Sequence, residues 1–371
     1  MTKSKLGASN TSRAQGGIQA AMADDDTVES HFEDTLAAGH HDARPDLVRT
    51  LTAAGPEAIL WLDELGVDFS RDGGELRILR CGGASRPRLL QAGERTGAEM
   101  VHALRKGIQA SGADVWESSA LQSLEPAPSG WRAVITAKGA EPRVVDAGAV
   151  VLAAGGGLRG EADALGVGST NHPGATPEVL RLAVDLGAEI TDLDSWQRHP
   201  TGSVWPEPLA GYALPETTRS YGATLHDANG DRFVDELAPR DVVAQGIIDT
   251  VDAGRGVEAP SGQEAVWLDT TAIDRTHGAG FTAERLAYVH RRYEKAGVDI
   301  TAERVLVYPV LHYRNGGVLI DTDASTSLPG LFAAGEITGG VHGTNRLMGN
   351  SLLDTVVFGR IAGRSAAEAA R

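Results

Sequence analysis

The sequence predicts an α/β fold, and three observations carry that expectation. Residues 147–157, AGAVVLAAGGG, form an all-apolar run ending in glycines, the pattern of a central parallel strand buried on both faces. Residues 328–334, LPGLFAA, form a second short apolar run that reads as a buried strand. It passes through a glycine-studded loop into an apolar helix from about Ser351. Ahead of both runs, apolar residues recur at i, i+3, i+4 spacing, the period of helices that pack on a sheet.

The remaining elements follow in order. Residues 27–66 read as helical, with Pro56 separating two helices or opening the second. Residues 67–91 read as a loop and residues 93–112 as a helix. Strand-like runs at 114–116, 120–124, 131–137 and 143–146, divided by turn residues, form a meander leading into the run at 147–157. A helix is expected over 177–187. Between about Trp196 and Tyr308 the chain is richer in Pro, Trp and charge and carries little central-strand signal until VLVYPVL at 305–311.

Composition narrows the function. With 371 residues, 42% hydrophobic and 23% charged, the chain is long enough for two ordinary domains and is neither disordered nor fibrous. A net charge of −16 argues against nucleic acid or an anionic membrane as partner, so an anionic substrate needs a local cationic pocket. The single cysteine, Cys81, excludes an intrachain disulfide and a Cys-ligated iron–sulfur cluster held by this chain alone, and no metal site is expected. No apolar run is long enough to span a bilayer, and residues 1–17 lack the apolar core of a secretory signal, so the expected location is the cytoplasm.

The most informative segment is 335–363, GEITGGVHGTNRLMGNSLLDTVVFGRIAG. Its glycines at 335, 339, 340, 343 and 349 let backbone approach a large planar or phosphorylated ligand. The helix start at Asn350 and Ser351 offers free N–H groups to an electron-rich group. Arg346, beside His342 and Asn345, would meet a carboxylate with a bidentate fork. The segment resembles the C-terminal flavin-binding region of the fumarate reductase/succinate dehydrogenase flavoprotein family, which includes L-aspartate oxidase.

That resemblance implies a Rossmann-like FAD-binding domain with an inserted α+β capping domain: residues 1–196 and 310–371 for the first, 197–309 for the second. It implies that Glu336 binds the ribityl chain, that Asn350, Ser351 and Leu352 face the flavin ring, and that Arg346 grips a substrate carboxylate. Ala154 and Gly155, at the end of the strand, would lie under the FAD, and Gly317 would pass close to the flavin. Ser9, Asn10, Thr11, Ser12, Gln15, Gly16 and Gly17 match the run that wraps the flavin pyrophosphate and ring. Asn10 stands where covalent members carry the flavin-bearing His, so non-covalent FAD is expected. Residues 176–179, TPEV, replace a TGDG stretch common in the family.

The strand–GxGxxG–helix unit that should open such an enzyme is not seen, and the residues that normally follow it appear at once. Either the native protein begins earlier, or the adenosine half of FAD lacks its usual sheet and helix. The first reading is preferred because the downstream motifs are kept.

Four further motifs carry chemistry. QRHPTG at 197–202 resembles the family's QxHPTG, which implies that His199 and Thr201 bind a substrate carboxylate. ETTR at 216–219 resembles ExxRGxGA, with Ser220 for the glycine; by residue type Glu216 and Arg219 are a surface ion pair, whereas the resemblance implies a proton conduit. ELAPRDVV at 236–243 matches a family motif whose Arg, here Arg240, donates the proton. Guanidinium, with a pKa above about 12, is a poor general acid near neutrality, so residue chemistry alone points instead to His199 or His312. YPVLHYRNGGV at 308–318 resembles PxxHYxxGGV, which implies that His312 meets the second carboxylate.

The expected function is therefore interconversion of fumarate and succinate by hydride transfer at flavin N5, with proton delivery by Arg240. A separate, unidentified electron donor or acceptor is implied, with no membrane insertion. L-Aspartate oxidase is the alternative within the family. Cys81 in RCGGASR at 80–86 stands where that enzyme carries a Glu associated with the substrate's amino group. An ammonium facing a thiol there forfeits a charge-assisted hydrogen bond of about 1.5–3 kcal/mol. A flavin-free remnant that only binds dicarboxylates is the alternative of a different class.

Overall fold

A computed structural model describes residues 1–371, and in it the apolar runs gather into two main cores. The larger core is organised around the C-terminal helix Asn350–Ala369, whose Leu353, Val357 and Phe358 are buried against helices Pro45–Ala53 and Gly55–Glu64. Residues 27–66 make three helices. Thr27 caps the first, Val28–Ala38, by accepting from the Ser30 amide, and Pro45 and Pro56 sit in the first turns of the other two, where a missing N–H costs nothing. The expected loop at 67–91 instead contains paired two-residue strands, among them Leu89–Leu90 flanked by Ile18–Gln19 and Ile78–Leu79. Such pairings are too short to leave a periodic pattern in the sequence.

The meander is present as Ser119–Ala127, Gly130–Ala137 and Arg143–Ala147, in antiparallel order, while residues 114–116 form no strand. The apolar run at 147–157 yields only a three-residue strand, Val150–Leu152. It pairs in parallel with Leu331–Ala333 and with no other strand. It is thus an edge rather than the expected central strand, and Val151 is 38% exposed. An all-apolar run reports what could be buried, and the burial itself needs a neighbour on each side.

Residues 196–314 hold more strand than expected. Trp196–Trp205, Val305–Arg314, Glu264–Asp269, Thr224–His226 and Val257–Glu258 form an antiparallel sheet that carries the second core with helices Arg240–Thr250, Thr271–His277 and Ala287–Lys295. Trp196–Trp205 gives no strand signal in the sequence because it is polar, contains Pro200, and breaks register with its partner between His199 and Gly202. The pairing runs from Trp196 opposite Arg314 to Trp205 opposite Leu306, and His199 lies opposite Val310, two residues from His312. This pair brings both histidines to the junction of the two cores.

Candidate active site

A cavity of about 1040 Å³ opens at that junction, lined by His199, Glu216, Arg240, His312, Tyr313 and Arg346 at its inner end. Arg240 opens its helix, and Pro239 before it sets an extended approach that points the first side chain inward. Arg240 Nε donates to Glu216 Oε2 at 2.6 Å, and Arg219 Nη2 lies 3.5 Å from the same oxygen. Glu216 and Arg219 are almost fully buried, not the surface pair that their residue types suggested. Burial opposes ionisation of Glu216, but Arg240 and Arg219 outweigh it and hold the carboxyl below its ordinary range.

His199 and His312 stand edge to face with ring centroids 5.2 Å apart. Burial, reinforced by Arg240 and the other nearby guanidiniums, pushes both well below the ordinary imidazole range. They are therefore neutral, and the positive charge of the site resides on the arginines. His199 Nδ1 accepts from the Thr201 amide at 3.3 Å, which leaves the ring proton on Nε2 as a donor. His312 Nδ1 pairs with the Thr170 hydroxyl at 2.7 Å. Arg346 is buried, with its guanidinium carbon 4.3 Å from the centre of the Tyr313 ring. Burial and the neighbouring Arg240 lower its pKa to about 10.

One residue absent from the expected site organises it. Gln197 Oε1 accepts from Arg240 Nη1 at 3.1 Å and from Arg346 Nη2 at 2.9 Å, while its Nε2 donates to Asn345 Oδ1 and to the Arg346 carbonyl. A single neutral oxygen therefore sets the spacing of two guanidiniums. Its motif position beside His199 was the signal that could have found it.

The expected residues do not all reach the cavity. Ser9, Asn10, Thr11, Gln15, Gly16, Gly17, Ala154, Gly155, Glu336, Ser351 and Leu352 line it. Thr201 does not; its hydroxyl donates to the Leu214 carbonyl. Ser12 is engaged in a capping box with Ser9. Gly317 abuts backbone, where a Cβ would lie 2.1 Å from the Ile337 oxygen. Asn350 is wholly buried, its Oδ1 accepting from His31 Nε2 and its Nδ2 donating to Thr35 Oγ1. Cys81 is also buried; burial and Glu216 push its thiol up, so it is neutral.

Two observations test the cavity as a flavin site. The amides of Ser351 and Leu352, in the first turn of the C-terminal helix, have no partner, and both residues line the cavity, as an electron-rich carbonyl or ring nitrogen requires. The buried Glu336 carboxyl, raised by burial, meets Asn10 Nδ2 at 3.2 Å and can take hydroxyls of a sugar-like chain. The cavity continues outward along Leu121, Leu124, Ile135 and Val150, an apolar wall beside the free edge of Val150–Leu152. The residues present fit FAD at the ring end.

The fold and this cavity define a flavoprotein. A family model described as an FAD binding domain matches residues 1–352. The chain belongs to the fumarate reductase/succinate dehydrogenase family of FAD-binding flavoproteins, which includes L-aspartate oxidase, and FAD is its cofactor. It is 36% identical over 370 residues to one subunit of the fumarate reductase (CoM/CoB) of Methanothermobacter marburgensis, covering 96% of this chain and 65% of that one. It is also 36% identical over 368 residues to the L-aspartate oxidase of a Synechocystis strain, covering 96% of this chain and 64% of that one. A quinol-fumarate reductase structure with menaquinol superposes with a TM-score of 0.90 at 30% identity, covering 99% of this chain and 66% of that one. The chain thus spans about two thirds of the length of these relatives.

Proposed function

We propose that this chain is an FAD-dependent oxidoreductase that interconverts fumarate and succinate. The observation that carries the reading is the shared Gln197 oxygen, which holds Arg240 and Arg346 side by side at a cavity with two neutral histidines. Arg346 and Arg240 bring two positive charges and Glu216 one negative, so the inner cavity keeps a surplus suited to a dicarboxylate.

Arg346 and His312 take one carboxylate of the substrate and His199, through Nε2–H, takes the other. Because both imidazoles are neutral, they orient the substrate without adding charge, and the guanidiniums stabilise charge that develops on the gripped carboxylate. When bound at this cavity, FAD in its reduced form would supply a hydride to one alkene carbon, and in its oxidised form would accept one in the reverse direction. Arg240 holds a proton at its guanidinium for the other carbon, and its contact with Glu216, backed by Arg219, gives the route by which that proton is replaced. Hydride plus proton added across fumarate gives succinate. An acid as weak as guanidinium becomes usable only because it is placed at the carbon and reprotonated through an adjacent carboxylate that relays a proton.

An L-aspartate oxidase activity is the second reading, favoured by the relatives so named and opposed by the buried, neutral Cys81 in place of an acidic residue. Asn10, with its amide committed to Asn171 and Glu336, offers no ring nitrogen to the flavin, so FAD is bound without a covalent link. The electron donor or acceptor is a separate molecule. Protein saturated with FAD should reduce fumarate with a reduced viologen and release no hydrogen peroxide with L-aspartate; the opposite pattern assigns the oxidase. Colourless protein that cannot be reconstituted with FAD would leave only dicarboxylate binding. Arg240→Ala is expected to lower turnover by at least about 10³-fold while flavin absorbance is retained, and unchanged turnover would remove Arg240 as proton donor.

A further inference from the structure

The turn after helix Val28–Ala38 is strained. His40 and His41 both adopt positive φ, 58° and 61°, a region non-glycine residues seldom enter and hold only where surroundings compensate. The turn places the His40 ring between two distant segments. Its Nε2 lies 3.0 Å from Asp241 Oδ2, and its Nδ1 lies 3.1 Å from Thr344 Oγ1. Thr344 uses its one hydroxyl proton on Asp42 Oδ2, at 2.9 Å, and the His40 ring bridges Thr344 Oγ1 and the Asp241 carboxylate.

The chain of hydrogen bonds continues inward. Asp241 Oδ1 accepts from Asn345 Nδ2 at 2.8 Å, Asn345 Oδ1 accepts from Gln197 Nε2 at 2.8 Å, and Gln197 Oε1 accepts from Arg240 and Arg346. Each carboxamide has its oxygen and nitrogen ends dictated by its neighbours. Asp241 follows Arg240 and Asn345 precedes Arg346, so the same bonds hold the two backbones that carry the guanidiniums.

We propose that His40 and Asp241 are positioning residues. They form a clamp that orients the carboxamides of Asn345 and Gln197, and through them fixes the spacing of Arg240 and Arg346. The proposal rests on the reading above that these arginines meet substrate. The His40–Asp241 contact alone, half exposed, is of the weak kind. Its effect comes from Asp241's inner oxygen, which shares Asn345 Nδ2 with the Ala38 carbonyl at 3.0 Å: without it Asn345 keeps one of two anchors, and Gln197, held also by the Arg346 carbonyl, is aimed less firmly at both arginines.

The test uses the full chain loaded with FAD and the variants Asp241→Leu, Asp241→Asn, His40→Leu and the double leucine variant. Asp241→Leu is expected to raise the fumarate KM and weaken succinate binding in calorimetry, each about tenfold, the loss of one hydrogen bond to a charged group. Asp241→Asn keeps an oxygen for Asn345 and should stay within about threefold of the parent. His40→Leu should be intermediate, and the double variant no worse than Asp241→Leu, because both act through one chain. Amide exchange across Arg240–Thr250 should quicken in Asp241→Leu and not in Asp241→Asn. The clamp is overturned if Asp241→Asn is as impaired as Asp241→Leu, if the two leucine effects multiply, or if exchange is the same in both. If the parent protein neither reduces fumarate nor binds succinate, the functional reading fails, and the exchange comparison still decides the clamp.

Discussion

A neutral carboxamide oxygen accepting from two buried guanidiniums is the least expected feature at the scale of single residues, and it shows how charge is managed here. Arg240 and Arg346 repel each other, yet Gln197 holds both while Glu216 neutralises one. The histidines contribute by remaining uncharged. The same physics makes His31 a reporter of stability. It is wholly buried behind Asn350, and burial lowers its pKa to about 4, despite the Asn350 hydrogen bond that favours the charged form. The unfolded chain binds this proton near pH 6.5 and the folded chain does not, so stability declines as pH falls through about 6.5 and flattens near 4. The span corresponds to at most roughly 3 kcal/mol. Glu216, depressed by its arginines, adds stability above the ordinary carboxyl range that is lost as pH falls through its folded pKa. Melting measured between pH 8 and pH 5 should therefore fall less steeply in His31→Gln than in the parent; parallel slopes would exclude His31 as a source.

At the scale of elements, close backbone approach decides where the cavity wall stands. The short helix Asn10–Arg13, whose Asn10 and Thr11 line the cavity, rests on helix Thr96–Ser111 through Gly97. A Cβ at Gly97 would lie 1.8 Å from the Thr11 carbonyl oxygen and 2.9 Å from the Ala14 Cβ. Gly97→Ala therefore has to push the short helix outward, an overpacking cost of about 1–3 kcal/mol. A lower melting temperature together with reduced FAD content at fixed added FAD is the expected outcome. Full flavin loading with unchanged melting would show that the two helices part freely. The helix at 93–112 was readable from its period, whereas this contact was not, because Gly97, second in the observed helix Thr96–Ser111, looks like mere tolerance in a linear sequence.

At the scale of the whole molecule, the net charge of −16 opposes an anionic substrate at a distance, and the arginines act only within the cavity. Screening length shrinks from about 30 Å at 0.01 M salt to about 8 Å at 0.15 M. Added salt should then remove the long-range repulsion while the buried contacts are little screened. The succinate association rate, followed by stopped flow, is expected to rise about twofold over that range. A fall would mean that the arginines steer substrate from outside. The large-scale arrangement also explains a strand whose place in the sheet differs from the expectation. Residues 147–157 have the composition of a central strand, but only Leu331–Ala333 lies beside them, so the run becomes a short, half-covered edge.

Residue types and spacings by themselves marked an α/β chain and the glycine-rich loop at 335–363, whereas Arg240, Glu216, His199, His312 and Arg346 were picked out by the resemblance of their local motifs to the family's. Motifs survive in one dimension because glycine, proline and charged residues impose their requirements on near neighbours. Only the tertiary structure decided that Glu216 and Arg219 are buried, that both histidines are neutral, and that Thr201, Ser12, Gly317 and Asn350 turn away from the cavity. Only it joined His40, Asp241, Asn345 and Gln197 into one line of hydrogen bonds. Burial and protonation depend on which distant segments meet, and desolvation, the largest influence on these groups, is a property of the packed space and not of the neighbours along the chain.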